Sequence, residues 1–460
     1  MFVSKLEKSI GLEIYATSSE GIGGNIRQTI EDFIVEEILV DGSKAEINPR
    51  HNAETPVLGA VSTRNRYLLC VLVKRNWDTF MAIGNIARKL GISPVQVQIA
   101  GIKDAKAITA QHITIENKSI QDVQNIDLKD IEIRPIGYVR NRMSSYYLLG
   151  NCFHASIRNI GYSESTIRKR ITKTVEDIKA LGGIPNFFGH QRFGTTRPIT
   201  HLVGESIVKG HLKKAAMLFL AKPSDYEHPT SRRARQELWK TQDFKKALVN
   251  FPKQLRYERS MIKSLIETPD DFSAAFRRLP MRLLRIFVQA YQSYLFNRFL
   301  SSRMRHGLSL TTAQPGDYVV SVEKSGLPVP MMHKTASTEN IEEINLAIQN
   351  GKLRLALPLI GLRQHPSGGV QGDLEREILQ EESVSPQDFR VQSMREMSSK
   401  GELRPIISPV RDFRTVDLFG DPAESQNHAV KLAFELYRGS YATVILRELM
   451  KTRRPIQAGF

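Results

Sequence analysis

The chain has 460 residues, too many for one ordinary compact core and enough for two or three domains, because single cores usually stop growing below about 300 residues. Its 65 Lys and Arg outnumber 48 Asp and Glu, giving a formal charge of +17 and a pI near 9.7, which favours a polyanionic partner, nucleic acid ahead of an anionic membrane surface. An apolar run of about 18 residues and a basic amphipathic anchor are both absent, and Lys5, Glu7 and Lys8 interrupt the start where a secretory signal would be apolar, so no membrane partner and a cytoplasmic location are expected.

Two cysteines, Cys70 and Cys152, exclude a disulfide framework and sit in apolar, strand-like runs, where they read as small buried hydrophobes rather than ligands or nucleophiles. The eleven histidines are scattered, without HExxH or a tight His/Asp cluster, so no metal is expected. Gly21 to Gly24 lacks both a preceding strand and the dinucleotide spacing, and no Walker-type loop occurs, so no nucleotide cofactor is expected either.

Taken in chain order, the first 160 residues alternate short apolar runs, such as Tyr67 to Val73, with helical patterns, an α+β signature. A helix is predicted from about Trp77 to Leu90, capped by Asn76, with Phe80, Ile83, Ala87 and Leu90 on one face and Gly91 as its stop. A strand from Val95 to Ala100 follows and runs into Gly101. From about Leu202 to Lys400 the pattern turns helical and basic, around Arg232, Arg233, Arg235, Lys245 and Lys246, and reads as an inserted module. Its longest helix is predicted over Met281 to Arg305, with Leu283, Leu284, Phe287, Tyr291, Tyr294 and Leu295 as a buried stripe. Arg282, Arg285, Arg298 and Arg303 would form its charged face, either simply solvated or in contact with a nucleic-acid backbone. Val430, Leu432, Phe434 and Leu436 then alternate as a half-buried strand, and Gly439-Ser440 opens a helix through Lys451. This return to the character of the N-terminal part suggests one split domain whose sheet is completed by the C-terminal segment.

Three stretches carry candidate chemistry. Gly101-Ile102-Lys103-Asp104 could be an ordinary turn, or could present a carboxylate from a rigid strand end, with Thr109 and Gln111 sharing a face of the next strand to brace it. The stretch from Asn186 to Gly194, NFFGHQRFG, interleaves aromatic, amide and basic groups, as a pocket for an extruded base requires, although a glycine-bracketed loop with core phenylalanines fits as well. The third, Glu31 to Glu37, reads as a strand with charged flanks, and Arg27 lies just before it.

In this order the residues resemble the TruD family of tRNA pseudouridine synthases. The GxKDxxAxTxQ pattern is met by Gly101, Lys103, Asp104, Ala107, Thr109 and Gln111, the N-[FY]-F-G-x-Q-R-F-G pattern from Asn186 to Gly194, and DFxVxE by Asp32, Phe33, Val35 and Glu37. Further likeness lies in Gly150-Asn151 with Phe153, in Ala290 to Asn297, and in Gly439 to Thr443 with Arg447, Glu448 and Lys451.

The resemblance implies an α+β pseudouridine-synthase catalytic domain with a mostly antiparallel sheet, in segments 1–200 and 406–460, interrupted by an α+β TRUD insertion at 201–405, with the active site in the cleft between them. It also implies a tRNA substrate, isomerisation of uridine 13 in the D-arm, no cofactor and no obligatory protein partner. Asp104 is the implied catalytic carboxylate, with Arg27 as the cation that keeps it ionised and Thr109 and Gln111 in support. Phe188 would stack on the uracil, Asn186 would bond its edge or order the loop, and Phe33 would line the pocket. Lys103 and Arg192 are expected to meet the RNA or to tie loops together, and Glu37 stays open between pocket polarity and structural pairing. The rival reading is a non-catalytic tRNA-binding or folding protein, which would keep the basic surface and Phe188 without using Asp104.

Overall fold

β-Branched and aromatic residues recurring every second position build most of the strands, and the computed structural model describes residues 2–49, 57–61, 63, 66–424 and 426–460. The N-terminal part supplies β1 (Phe33–Leu39), β2 (Tyr67–Arg75), β3 (Val97–Ile99), β4 (Ile108–Glu116), β5 (Ile131–Val139), β6 (Leu148–Ile160) and the short β7 (Ile184–Pro185). The middle supplies β8 (Tyr318–Val322), β9 (Pro328–Thr335), β10 (Leu353–Leu359) and β11 (Glu402–Pro405). The C-terminal part adds β12 (Ile407–Ser408), β13 (Val410–Gly420) and β14 (His428–Tyr437).

The main sheet runs β13-β14-β6-β1-β4-β2-β5, with β3 paired to β4, and only β1 and β4 lie parallel. Since β14 zips onto β6, with Phe434 opposite Phe153, the C-terminal segment completes a sheet begun by the N-terminal one. Phe33, Val35 and Phe153 point to one face and share a core with helices Glu164–Ala180 and Ala442–Met450. The middle strands form a separate sheet in the order β11-β10-β8-β9, accompanied by helices between Thr200 and Arg305. This mixed α and β architecture, a mostly antiparallel sheet interrupted by an inserted module, is the expected fold class. No helix among the described residues is long and apolar enough to cross a membrane.

The long helix occupies Met281–Arg305, as its pattern predicts, but the expected charged face covers only its beginning. Arg303 is 1% exposed and sets its two terminal nitrogens on the two carboxylate oxygens of Asp317, each at 2.8 Å, while Arg298 pairs with Glu13, Glu381 and Glu382. Arg235 is likewise buried, between Glu227 and Glu258. Such carboxylates offset the cost of desolvating these guanidinium groups.

The helix predicted from Trp77 is Thr79–Lys89, two residues shorter at its start. Asp78 caps it by accepting from the Phe80 and Met81 amides at 2.9 and 3.1 Å, while Asn76 takes a left-handed φ of 56°. The start at Thr79 turns Ala82, Ile83, Ile86 and Ala87 inward and leaves Phe80 47% exposed, with the Arg282 guanidinium 4.4 Å from its ring centre.

His201 lies between the rings of Phe193 and Tyr294, 5.3 Å from each, and burial pushes its imidazole down to about 4. An unfolded imidazole near about 6.5 takes up a proton that the folded one resists, so stability falls as pH drops through that window. His201→Phe should therefore reduce the loss of denaturant midpoint on acidification from about pH 7 to pH 4.5, and an unchanged slope would remove His201 from the acid response.

Candidate active site

The turn after β3 presents Asp104 with its side chain 34% exposed, and Arg27 Nη2 meets Asp104 Oδ1 at 3.1 Å. Arg27 itself has a left-handed φ of 57° just before β1 and lies with its guanidinium 4.3 Å over the Phe33 ring. With its amide oxygen turned inward, Gln191 accepts from Arg27 Nη2 at 2.8 Å. Carboxylate, ring and amide thus hold the guanidinium from three directions, and burial lowers its pKa while Asp104 opposes that shift.

The turn is braced from behind by two lysines. Lys74, near the end of β2, is fully buried and donates to the main-chain carbonyls of Asp104 and Trp77, both at 2.7 Å; burial pushes its ammonium down to about 8 against the opposing pull of Asp104. Lys103 is 6% exposed, with Nζ 2.7 Å from Glu37 Oε1 and 2.7 Å from Asn151 Oδ1. Its ammonium therefore points into the fold, where it ties the turn to β1 and β6. Glu37 also accepts from the His112 amide at 2.9 Å, so both of its oxygens are engaged within the fold. Gln111 donates to the Gly101 carbonyl at 3.1 Å, as a brace should; Thr109 is buried on the same strand, but its hydroxyl has no hydrogen-bond partner among the described residues.

The 186–194 loop starts from β7, which β12 pairs with, and is gripped from both sides. Asn297, on helix Met281–Arg305, accepts from the Phe188 amide at 2.8 Å and donates to the Phe188 carbonyl at 3.1 Å. Arg404 donates to the Asn186 carbonyl at 3.0 Å and to its side-chain oxygen at 2.7 Å, and the Asn186 amide donates to the Pro405 carbonyl at 3.0 Å. Asn186 consequently orders the loop in this arrangement. Phe188 is 6% exposed, with Arg404 stacked 4.0 Å over its ring and the edges of Phe296 and Tyr441 against it. An added Cβ at Gly189 would meet Thr443 Oγ1 at 2.5 Å, so a larger residue there would have to displace that side chain.

Phe188, Asn186, Arg192, Arg404 and Arg438 line a cavity of about 670 Å³ between the loop and the inserted module. Arg192 donates to Ser293 at 3.1 Å and to Gln289 at 3.4 Å. Two neighbouring groups result. Arg27, Phe33, Asp104 and Gln191 form one; Phe188, Asn186, Arg192 and Arg404 form the other; residues 188–191 of a single loop connect them. Sequence reasoning missed Lys74, Gln191, Asn297 and Arg404. Lys74 is marked only by its place in an apolar strand, Gln191 and Asn297 lie within recognised patterns without an evident role, and Arg404 carries no local signal.

The chain matches a family model described as tRNA pseudouridine synthase D (TruD) over residues 9–449. It is 39% identical over 451 residues to a “Probable tRNA pseudouridine synthase D” of Methanosarcina barkeri, covering 98% of each chain. A protein of the same description from Pyrococcus furiosus is 35% identical, with 95% of this chain and 98% of that one covered. A crystal structure of the “Putative tRNA pseudouridine synthase D (TruD)” from Methanosarcina mazei superposes with a TM-score of 0.82 at 37% identity, covering 99% of this chain and 100% of that one.

Each charge-assisted bond from Lys74 contributes roughly 1.5–3 kcal/mol, so losing both should loosen the Asp104 turn. Lys74→Met is expected to speed amide hydrogen exchange across residues 101–107 by about tenfold or more, since about 1.4 kcal/mol corresponds to tenfold. Unchanged exchange would mean the turn stands without Lys74.

Proposed function

The chain belongs to the tRNA pseudouridine synthase D (TruD) family, and on that premise we propose that it converts uridine 13 in the D-arm of tRNA to pseudouridine with Asp104 as its catalytic carboxylate. The observation that carries this reading is the Arg27–Asp104 pair at 3.1 Å on a half-open turn, in a chain that keeps the family's patterns around both residues.

The reaction breaks the C1′–N1 bond, turns the uracil and joins C5 to C1′, leaving the mass unchanged. A carboxylate serves it by attacking C1′, by removing the 2′ proton or by adding to the base, and each role needs the ionised form. Arg27 contacts one oxygen of that carboxylate, while Lys74 and the Lys103–Glu37 pair fix the turn's main chain. Phe33 walls the site through its contact with Arg27. Phe188, with the Arg404 and Arg192 guanidinium groups 4.0 and 5.6 Å from its ring centre, stacks on the extruded uracil. Asn186 and Arg404 hold that ring in place, Arg192 at the cavity wall meets phosphate, and Gln111 supports the turn through the Gly101 carbonyl.

We assign 1–200 and 406–460 to the catalytic domain and 201–405 to the insertion; the switch from β11, in the insertion's sheet, to β12, against β7, supports the second boundary. The charge of +17 supports backbone contacts that should weaken steeply with salt.

The test is tritium release from tRNA transcript labelled at uracil C5. The intact protein should release tritium, and Asp104→Asn should bind the RNA and release none. Phe188→Ala should slow release by about 5- to 150-fold, the equivalent of roughly 1–3 kcal/mol of stacking. Tight tRNA binding without release by the intact protein would favour the non-catalytic reading.

A further inference from the structure

The two strands that brace the Asp104 turn carry a second group of functional side chains on their other face. Glu37 and Asn151, on one face, hold Lys103. One residue away on each strand the side chains point oppositely, and there Glu36 of β1 lies across from Cys152 of β6, which in turn lies across from Glu435 of β14. His154, two residues beyond Cys152, shares that face.

Glu36, Cys152 and His154 each offer one ligand atom, and the three atoms lie within 4.8 Å of one another. His154 Nε2 is 3.8 Å from Cys152 Sγ and 3.6 Å from Glu36 Oε2. Tetrahedral zinc, with bonds of roughly 2.0–2.3 Å, sets its ligand atoms about 3.3–3.8 Å apart, so two edges of the triangle already suit it and the third closes by small side-chain rotations. Glu36 is also oriented from behind, because its other oxygen accepts from the Ile47 amide at 2.9 Å, the kind of outer hydrogen bond that fixes a ligating carboxylate. Cys152 is buried while Glu36 and His154 are partly exposed, which leaves a side open for water and for entry of an ion.

We propose that Glu36, Cys152 and His154 bind one divalent cation of the zinc type on the back of the catalytic sheet, joining β1 to β6. A thiolate beside an imidazole selects such a borderline ion over magnesium or calcium, which prefer oxygen alone. Lys44 is the rival positive charge: its ammonium pairs with Glu435 at 3.0 Å, and Arg411 lies 3.9 Å from the same carboxylate, so Glu435 is engaged and water completes the coordination. The site adjoins a contact between the two modules, where Leu327 from the β8–β9 turn packs with Cys152, Ile38 and Leu149. It touches neither Asp104 nor Arg27, so binding is read by spectroscopy rather than turnover.

The chain's cysteine content makes the assignment direct, since the only other thiol, Cys70, is fully buried, with its Sγ set toward the Leu68 carbonyl at 4.0 Å. Cobalt(II) titrated into the full-length, metal-stripped protein should bind at one ion per chain, give a near-ultraviolet thiolate-to-cobalt band, and be displaced by zinc(II). Cys152→Ser should abolish the band, and His154→Gln, at a partly exposed position, should weaken binding at least tenfold while the protein stays folded by its melting curve. Absence of the band in the parent protein, or a band that survives Cys152→Ser, would overturn the proposal.

Discussion

An ion pair on a half-open turn keeps its geometry only if one partner cannot drift, and the Arg27–Asp104 pair meets that condition because Arg27 is itself immobilised. Phe33 supports its guanidinium and Gln191 takes one of its nitrogens, so the charge is held by a strand, a ring and the 186–194 loop together. Behind the turn, two desolvated ammonium groups grip it. Lys74 meets carbonyl oxygens alone, whereas Lys103 meets a full countercharge in Glu37, and burial lowers the pKa of Lys74 accordingly. Buried charges of this kind do little for net stability, but they fix geometry, since displacing either partner leaves a charge without solvent.

The inserted module shapes the site through the backbone it clamps. Asn297 bonds both the amide and the carbonyl of Phe188, and Arg404 fastens Asn186 while covering one face of the Phe188 ring. The loop that carries Phe188 is thus positioned by residues 109 and 218 places further along the chain. A comparable network joins the chain ends: Arg447 of the last helix pairs with Glu7, and Glu448 accepts from the Ala16 and Thr17 amides.

Elements with strong local periodicity are legible without any tertiary information. The helix Met281–Arg305 is bounded as its pattern predicts, because twenty-five residues of apolar spacing and a terminal glycine leave little freedom in placing its ends. The start of helix Thr79–Lys89 is not legible in the same way, because Asn76 and Asp78 are both good caps and only the observed bonds to Phe80 and Met81 choose between them. Arg303 and Arg298 read as a charged face because a sequence displays charge but not the carboxylates of Asp317 and Glu382 folded against it. Lys103 is ambiguous in the sequence for the same reason.

The sequence by itself determined the α+β class, the interrupted organisation, the family and the short list of chemically capable residues, since these rest on periodicity and on ordered patterns within contiguous stretches. Which of those residues meet is set by the packing of distant segments. Pairing Arg27 with Asp104, turning Lys103 toward Glu37, setting Arg404 over Phe188 and gathering Glu36, Cys152 and His154 on one face all depend on strand register and side-chain direction. A one-residue change of register would send each strand side chain to the opposite face, and local sequence does not fix which distant strand lies alongside.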